Sequence, residues 1–205
     1  MKERFNQTEE QLREYFPAEH VKEVTMEIYQ ELLGLKFRKL ENANTWHKDV
    51  SCYEVRDSES DDLMGYFYLD LFPRPDKFNH AAAFPLVMRS NIDGVITPPT
   101  TAMVTNFVQH EGEPALLKHH EVVTFFHEFG HVMHGVCTEA NFTVFSGTNV
   151  EQDFVEMPSQ MLENWMWQKE ILKKISKHYK TGEPMPDAMI DAKLAKKEVS
   201  VAIPQ

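Results

Sequence analysis

Apolar residues near the start of the chain recur every three or four positions. In "FPAEHVKEVTMEIYQELLG", Val21, Val24, Ile28 and Leu32 share one stripe, the period of an amphipathic helix. Pro17 suits a first helical position and Gly34 a stop, so the pattern predicts a helix over 17–33. From about residue 50 to 108 the texture changes to "CYEVRD", "LMGYFYLDLF", "HAAAFPLVM" and "AMVTNFV". These short, aromatic and β-branched runs predict strands of a small antiparallel or mixed sheet. "SESDD" at 58–62, "PRPDKFN" at 73–79 and "DGVITPPTT" at 93–101 read as the loops between them. The helical period returns after residue 118 and persists to about Tyr179, before the loop "TGEPMP" and a last short helix around "DAMIDAKLAKK". The expected fold is mainly α with this small sheet, in one domain without internal repeats.

The candidate chemistry lies on the helix that begins near residue 119. At about 100° per residue, Val122, Phe125, Phe126, Phe129, Val132, Met133 and Val136 gather on one face, and His127 and His131 fall nearly opposite. The motif is H-E-x-x-H. Histidines four apart sit one turn apart, so both imidazoles can converge on one tetrahedral metal while Glu128 projects toward a metal-bound water. The spacing suits Zn2+. His134 lies seven residues from His127, about 10 Å along a helix axis, too far for both to bind one ion. The pattern H-E-x-x-H-x-x-G-x-x-H also fails, because no histidine follows at the required spacing.

A carboxylate from a later helix remains as the third ligand. In "NVEQDFVEMPSQMLENW", Glu156, Gln160 and Glu163 share a stripe, and Phe154, Met157, Met161 and Trp165 form an apolar one. Glu156 has apolar neighbours on both sides. Glu151 and Glu163 compete with it, and spacing alone leaves the choice open. Asp153, one turn before Glu156, is a candidate for orienting a ligand, against the alternative of a solvated charge at a helix start. His80 and Ala81, in "FNHAAAF", are candidates for holding substrate backbone along an edge strand by strand addition.

Composition narrows the partners. With 205 residues, 42% of them hydrophobic, the chain can bury a real core. A formal charge of -11 repels phosphate backbones and anionic lipid, so nucleic-acid and membrane-surface roles are not expected. No run of about 18 apolar residues is present to span a bilayer. Two cysteines, Cys52 and Cys137, are too few for a disulfide scaffold and fit a reducing compartment.

"FFHEFGHVMHGVC" and "FSGTNVEQDFVEMPSQMLENWMW" resemble the thimet oligopeptidase and neurolysin family of zinc peptidases, the M3 family. The resemblance continues upstream through "GYFYLDLFPRPDKFNHAAAFPL" and covers residues 1 to about 197, leaving 198–205 as a divergent tail. It implies a mainly helical, zincin-like catalytic core. It also implies one Zn2+ held by His127, His131 and Glu156, with Glu128 as general base in the hydrolysis of short peptides. The implied location is the cytoplasm, with the mitochondrial intermembrane space as the family's other compartment. Two departures stand out. Asn79 replaces a glycine usual in the family, and the pattern ends before the segment that supplies a histidine and tyrosines to substrate and oxyanion. The reading is therefore a zinc metalloendopeptidase truncated at both ends. The alternative is a catalytically deficient zinc-binding or peptide-binding module of the same family. Oligomeric state is left open.

Overall fold

A computed structural model describes residues 8–109 and 112–202. The first elements are α1 (Glu9–Arg13) and α2 (Ala18–Leu33). Pro17 caps α2 from outside, one residue earlier than its expected helical place, and Gly34 ends the helix in the left-handed conformation with φ 65°. The buried stripe is Val21, Val24, Thr25, Ile28 and Tyr29. Leu32 does not continue it: its side chain is on the exposed side of the last turn, and Leu35, just past the glycine, enters the core instead.

Seven strands follow, β1 (Leu35–Lys39), β2 (Ser51–Asp57), β3 (Leu63–Asp70), β4 (Ala82–Val87), β5 (Ser90–Ile92), β6 (Val95–Thr97) and β7 (Thr100–Val104). Five of them form one sheet in the order β1-β2-β3-β7-β4, in which only β3 and β7 run parallel. The sheet is thus mixed. Strand β1 was not foreseen, because "LKFRK" carries three basic residues; those charges suit an unpaired edge. The stretch 93–101 is likewise not all loop. Asp93 and Gly94 both have positive φ, 51° and 82°, and make the two-residue turn of a β5–β6 hairpin.

Helix α3 (His119–Val136) lies across the sheet. Its apolar face is sealed, with Val122, Phe126, Phe129, Val132 and Val136 at 0% exposure. Phe129 is the hub of an aromatic cluster, with ring centroids 5.3 Å from Phe67, 5.9 Å from Phe37 and 4.9 Å from Tyr29. Each such ring contributes about 1.5–3 kcal/mol by leaving water. Gly135 permits the close fit to β7, since a Cβ there would lie 2.6 Å from the Thr101 hydroxyl. After α3 come α4 (Gln152–Val155), α5 (Met157–Glu163), a 3-10 turn (Asn164–Trp167), α6 (Lys169–Ile175) and α7 (Asp187–Ala202). The helical period expected through this region is therefore interrupted repeatedly. Of the tail at 198–205, the backbone through Ala202 continues α7, and residues 203–205 lie outside the described residues.

A buried ionic knot ties the loop after β3 to the sheet. The carboxylate of Asp70, 2% exposed, accepts from both Arg74 Nη atoms at 2.7 Å and from Trp46 Nε1 at 2.8 Å. Lys77 Nζ lies 2.9 Å from the same carboxylate and donates to the carbonyls of Asp70, Phe72 and Thr105. Burial pushes the Asp70 pKa up, but the donors from Arg74, Lys77 and Trp46 outweigh it and hold the group at about 2. The folded pKa is below the unfolded value of about 3.9, so the stabilisation is complete above that pH and is lost as pH falls through about 2. The difference amounts to about 2–3 kcal/mol. Asp70→Asn, which strands a buried Lys77 ammonium, should cost about 3–5 kcal/mol in urea unfolding and flatten the acid limb between about pH 4 and 2. A loss of only about 0.5 kcal/mol, typical of a surface change, would count against this account.

Candidate metal centre

The side of α3 turned away from its sealed face carries His127 and His131, with side chains 19% and 12% exposed. Opposite them stands α5, and the two helices approach closely because residue 130 is glycine. A Cβ on Gly130 would lie 3.2 Å from the Ser159 Cα and 3.2 Å from the Tyr29 hydroxyl. Glu156 occupies the joint between α4 and α5, with φ -85° and ψ -16°, and Pro158 follows in the first turn of α5. The joint turns the Glu156 carboxylate toward the histidines, and the Ser159 hydroxyl steadies it by donating to the Glu156 carbonyl at 2.9 Å.

Three atoms converge there. His127 Nε2 and His131 Nε2 are 3.1 Å apart, and each is 3.2 Å from Glu156 Oε2. A tetrahedral Zn2+ with bonds of about 2.0–2.1 Å sets its ligand atoms about 3.3 Å apart, so the triangle has the size such an ion requires. His127, His131 and Glu156 are the one cluster of this kind among the described residues. Two imidazoles and one carboxylate also suit a borderline cation better than a hard one.

Glu163 has a different place from the one weighed for it. Its Oε1 lies 2.6 Å from His127 Nδ1, on the far side of the ring from the converging atoms. A carboxylate there accepts the hydrogen bond donated by Nδ1–H and leaves Nε2 with its lone pair aimed at the centre, which fixes both tautomer and ring orientation. Glu156 and Glu163 are seven residues apart, about two helical turns, and that shared face was the available signal. Spacing alone does not say that one carboxylate meets the centre and the other the back of an imidazole.

Glu128 projects from α3 toward β4, the outer strand of the sheet. Burial raises its pKa most; His127 lowers it, the Glu156 charge raises it, and the Ala83 backbone amide lowers it. A half-buried carboxyl held in this way is a stronger proton acceptor than one in water. Burial also lowers the pKa of His131, against the pull of Glu156, which keeps the imidazole neutral and able to bind a cation.

The remaining candidates fall outside this cluster. His134 is one turn further along α3, with Nδ1 buried and without a partner among the described residues. His80 is not in a strand. It sits exposed in the bend before β4, its ring 5.7 Å from Phe78, because pairing with β7 begins only at Ala82. Ala81 is half-buried beside it. Asp153 is exposed in the first turn of α4, the solvated helix-start place weighed against an orienting role, and the carboxylate that meets His127 Nδ1 is that of Glu163. Phe154, Met157, Met161 and Trp165 do form a stripe, but it faces outward, at 36–57% exposure.

Fold and cluster together define a mainly helical domain, built on a mixed sheet, with a candidate His-His-Glu metal site. The profile of Peptidase family M3 matches residues 1–203, and the chain belongs to that family. It is 45% identical over 197 residues to a thimet-like oligopeptidase of Dictyostelium discoideum, covering 94% of this chain and 29% of that protein. Saccharolysin of Saccharomyces cerevisiae is 41% identical over 210 residues, and oligopeptidase A of Escherichia coli 39% over 199 residues. The chain spans 30% and 29% of their lengths. Replacing Glu163 with Gln should weaken metal binding about 10–100-fold, since the amide no longer fixes the His127 tautomer. Competition against a chromophoric zinc chelator measures this, and an unchanged affinity would remove Glu163 from the arrangement.

Proposed function

We propose that residues 1–197 form the metal-carrying and peptide-binding portion of an M3 zinc metallopeptidase. His127, His131 and Glu156 hold one Zn2+, and Glu128 is the general base. The observation that carries this reading is the triangle of two imidazole nitrogens and one carboxylate oxygen with sides of 3.1 and 3.2 Å. The ion supplies Lewis acidity, polarising a peptide carbonyl and lowering the pKa of water toward about 7. Glu128 takes the proton of the attacking water and passes it to the leaving amine, while Glu163 keeps His127 oriented. Short peptides are the substrate class that the names of the oligopeptidase relatives support. The cytoplasm is the proposed compartment.

Efficient turnover needs more than this portion supplies. The Glu156 side chain is 45% exposed, so the centre is open to solvent. Neither a tyrosine nor an arginine is among the described residues lining the groove beside it. An oxyanion formed there meets few fixed donors, and the loss of one such donor costs about 10²–10³ in rate. We therefore read the isolated chain as a zinc- and peptide-binding module and assign hydrolysis to a longer polypeptide that completes the cleft.

Metal content and turnover of a quenched fluorescent peptide test the two statements together. The chain should bind one zinc per molecule and lose it on His131→Ala. Glu128→Gln should keep the metal and abolish whatever hydrolysis is seen, because the amide cannot accept a proton. A polypeptide extended to the length of the relatives should turn over at least about 100-fold faster than this chain. Equal rates would overturn the module reading, and absence of zinc would overturn the ligand assignment.

A further inference from the structure

A groove of about 460 Å³ begins at His127, Glu128 and Glu163 and runs back along α3. Val123 and Thr124 line it one turn up, and His119 and His120 lie a turn beyond. Its far end is closed by Trp167, by Lys193 of α7 and by Glu9 of α1. Trp167 is anchored there by an edge contact with the buried His119, ring centroids 4.6 Å apart. Two ammonium groups of α7 lie over the Trp167 ring, Lys193 at 5.6 Å and Lys197 at 4.4 Å from its centroid, and Lys193 is the one that also lines the groove.

This lysine is in an unusual place for its charge. It is half-buried, and burial lowers its pKa, an effect that Glu9 partly opposes. Among the described residues no carboxylate comes close enough to it for an ion pair. The aromatic face compensates only part of the lost hydration. The inner end of the groove, by contrast, is lined by the carboxylates of Glu128 and Glu163. Lys193 is the one lysine or arginine among the described residues lining the groove, so it is the fixed cation available there to an anionic ligand group.

Distance sets what that group can be. From His127 back to His119 is eight residues of helix, about 12 Å at 1.5 Å per residue. An extended peptide advances about 3.3 Å per residue, so three to four residues span the groove from His127 to the His119 turn, where Trp167 packs and Lys193 lies over its ring. The geometry points to Lys193 as a specificity residue that binds a peptide carboxylate three to four residues from the scissile bond, with Trp167 as the floor of that subsite. The carboxylate comes from the peptide's C-terminus or from an acidic side chain at that distance. Glu9 moderates the attraction. This proposal rests on the peptide-binding reading above.

The test measures binding, by fluorescence anisotropy, in the Glu128→Gln protein so that no peptide is consumed. The probes are three labelled pentapeptides of alanine and glycine. The first ends in a free carboxylate, the second in an amide, and the third is an amide with one glutamate four residues from its label. The free acid, the glutamate amide, or both should bind about tenfold more tightly than the plain amide, the size of one charge-assisted hydrogen bond. Which of the two does so identifies the source of the carboxylate. Lys193→Met should lower the ratio severalfold, leaving only what Lys197 over the same ring supplies, and Glu9→Gln should raise it; the second variant removes a charge from an exposed side chain and guards against misfolding in the first. Equal binding of all three peptides, or a ratio unchanged by both variants, overturns the proposal. Each titration is run with zinc and with chelator. Carboxylate preference in a protein that retains no zinc would overturn the metal reading alone, and zinc retention without carboxylate preference would overturn this one alone.

Discussion

Everything at the metal centre depends on how closely α5 approaches α3. The contact is made where three elements meet at Gly130. The Tyr29 hydroxyl of α2 donates to the Phe126 carbonyl at 2.8 Å, inside the buried flank of α3, and Ser159 of α5 rests over the same spot. A side chain at residue 130 would press on Ser159 and Tyr29 at about 3.2 Å and push on the helix that carries both Glu156 and Glu163. A ligand displaced by 1 Å no longer shares a 2 Å bond length with two fixed imidazoles. Packing thus sets the geometry of the polar cluster. The glycine that makes this possible is a middle residue of the motif that supplies the histidines.

Two ionisable clusters in this chain follow opposite rules. Around Asp70 every charge has a partner of opposite sign from within the protein: Arg74 and Lys77 neutralise one carboxylate, and Trp46 satisfies what remains. Such a cluster is complete and structural. Around Glu156 the pairing is with His127 and His131, imidazoles whose lone pairs compete for the same space. Glu163 reinforces this by accepting the hydrogen bond of His127 Nδ1–H, which keeps the proton off Nε2. Convergent acceptors repel one another unless a cation lies between them. The contrast explains why Asp70 reads as part of the fold and Glu156 as part of a binding site, although both are carboxylates held at short distance.

Much of this was legible in the sequence where one periodicity governed a long segment. The sealed face of α3 and the opposed histidines follow from spacing alone, because 18 residues give the helical period five turns in which to declare itself. The region after α3 was harder. Two short helices, a 3-10 turn and another short helix replace one regular pattern, so Met157, Met161 and Trp165 look like a core stripe but face outward. The misplaced β5–β6 hairpin had a signal in its Asp-Gly turn between apolar residues, obscured by the prolines that follow. Strand β1 had no comparable signal, since its charges reflect an edge position that only the assembled sheet defines. Long-range pairing, not local preference, decided these elements.

The same irregularity bears on how the centre is held. Helix α3 is fixed by a full apolar face and by rings of Phe37, Phe67 and Tyr29 packed on Phe129, so its histidines have little freedom. Helix α5 has only seven residues, one fully buried member in Ser159, and an exposed apolar side. An isolated helix of that length is unstable in water, so its position relies on its contacts with α3. A cation held by Glu156 and two residues of α3 would add a strong bond between the two helices. Its binding and the docking of α5 would then be coupled: whatever orders one favours the other, because ligands that are already in place lose less freedom when an ion arrives.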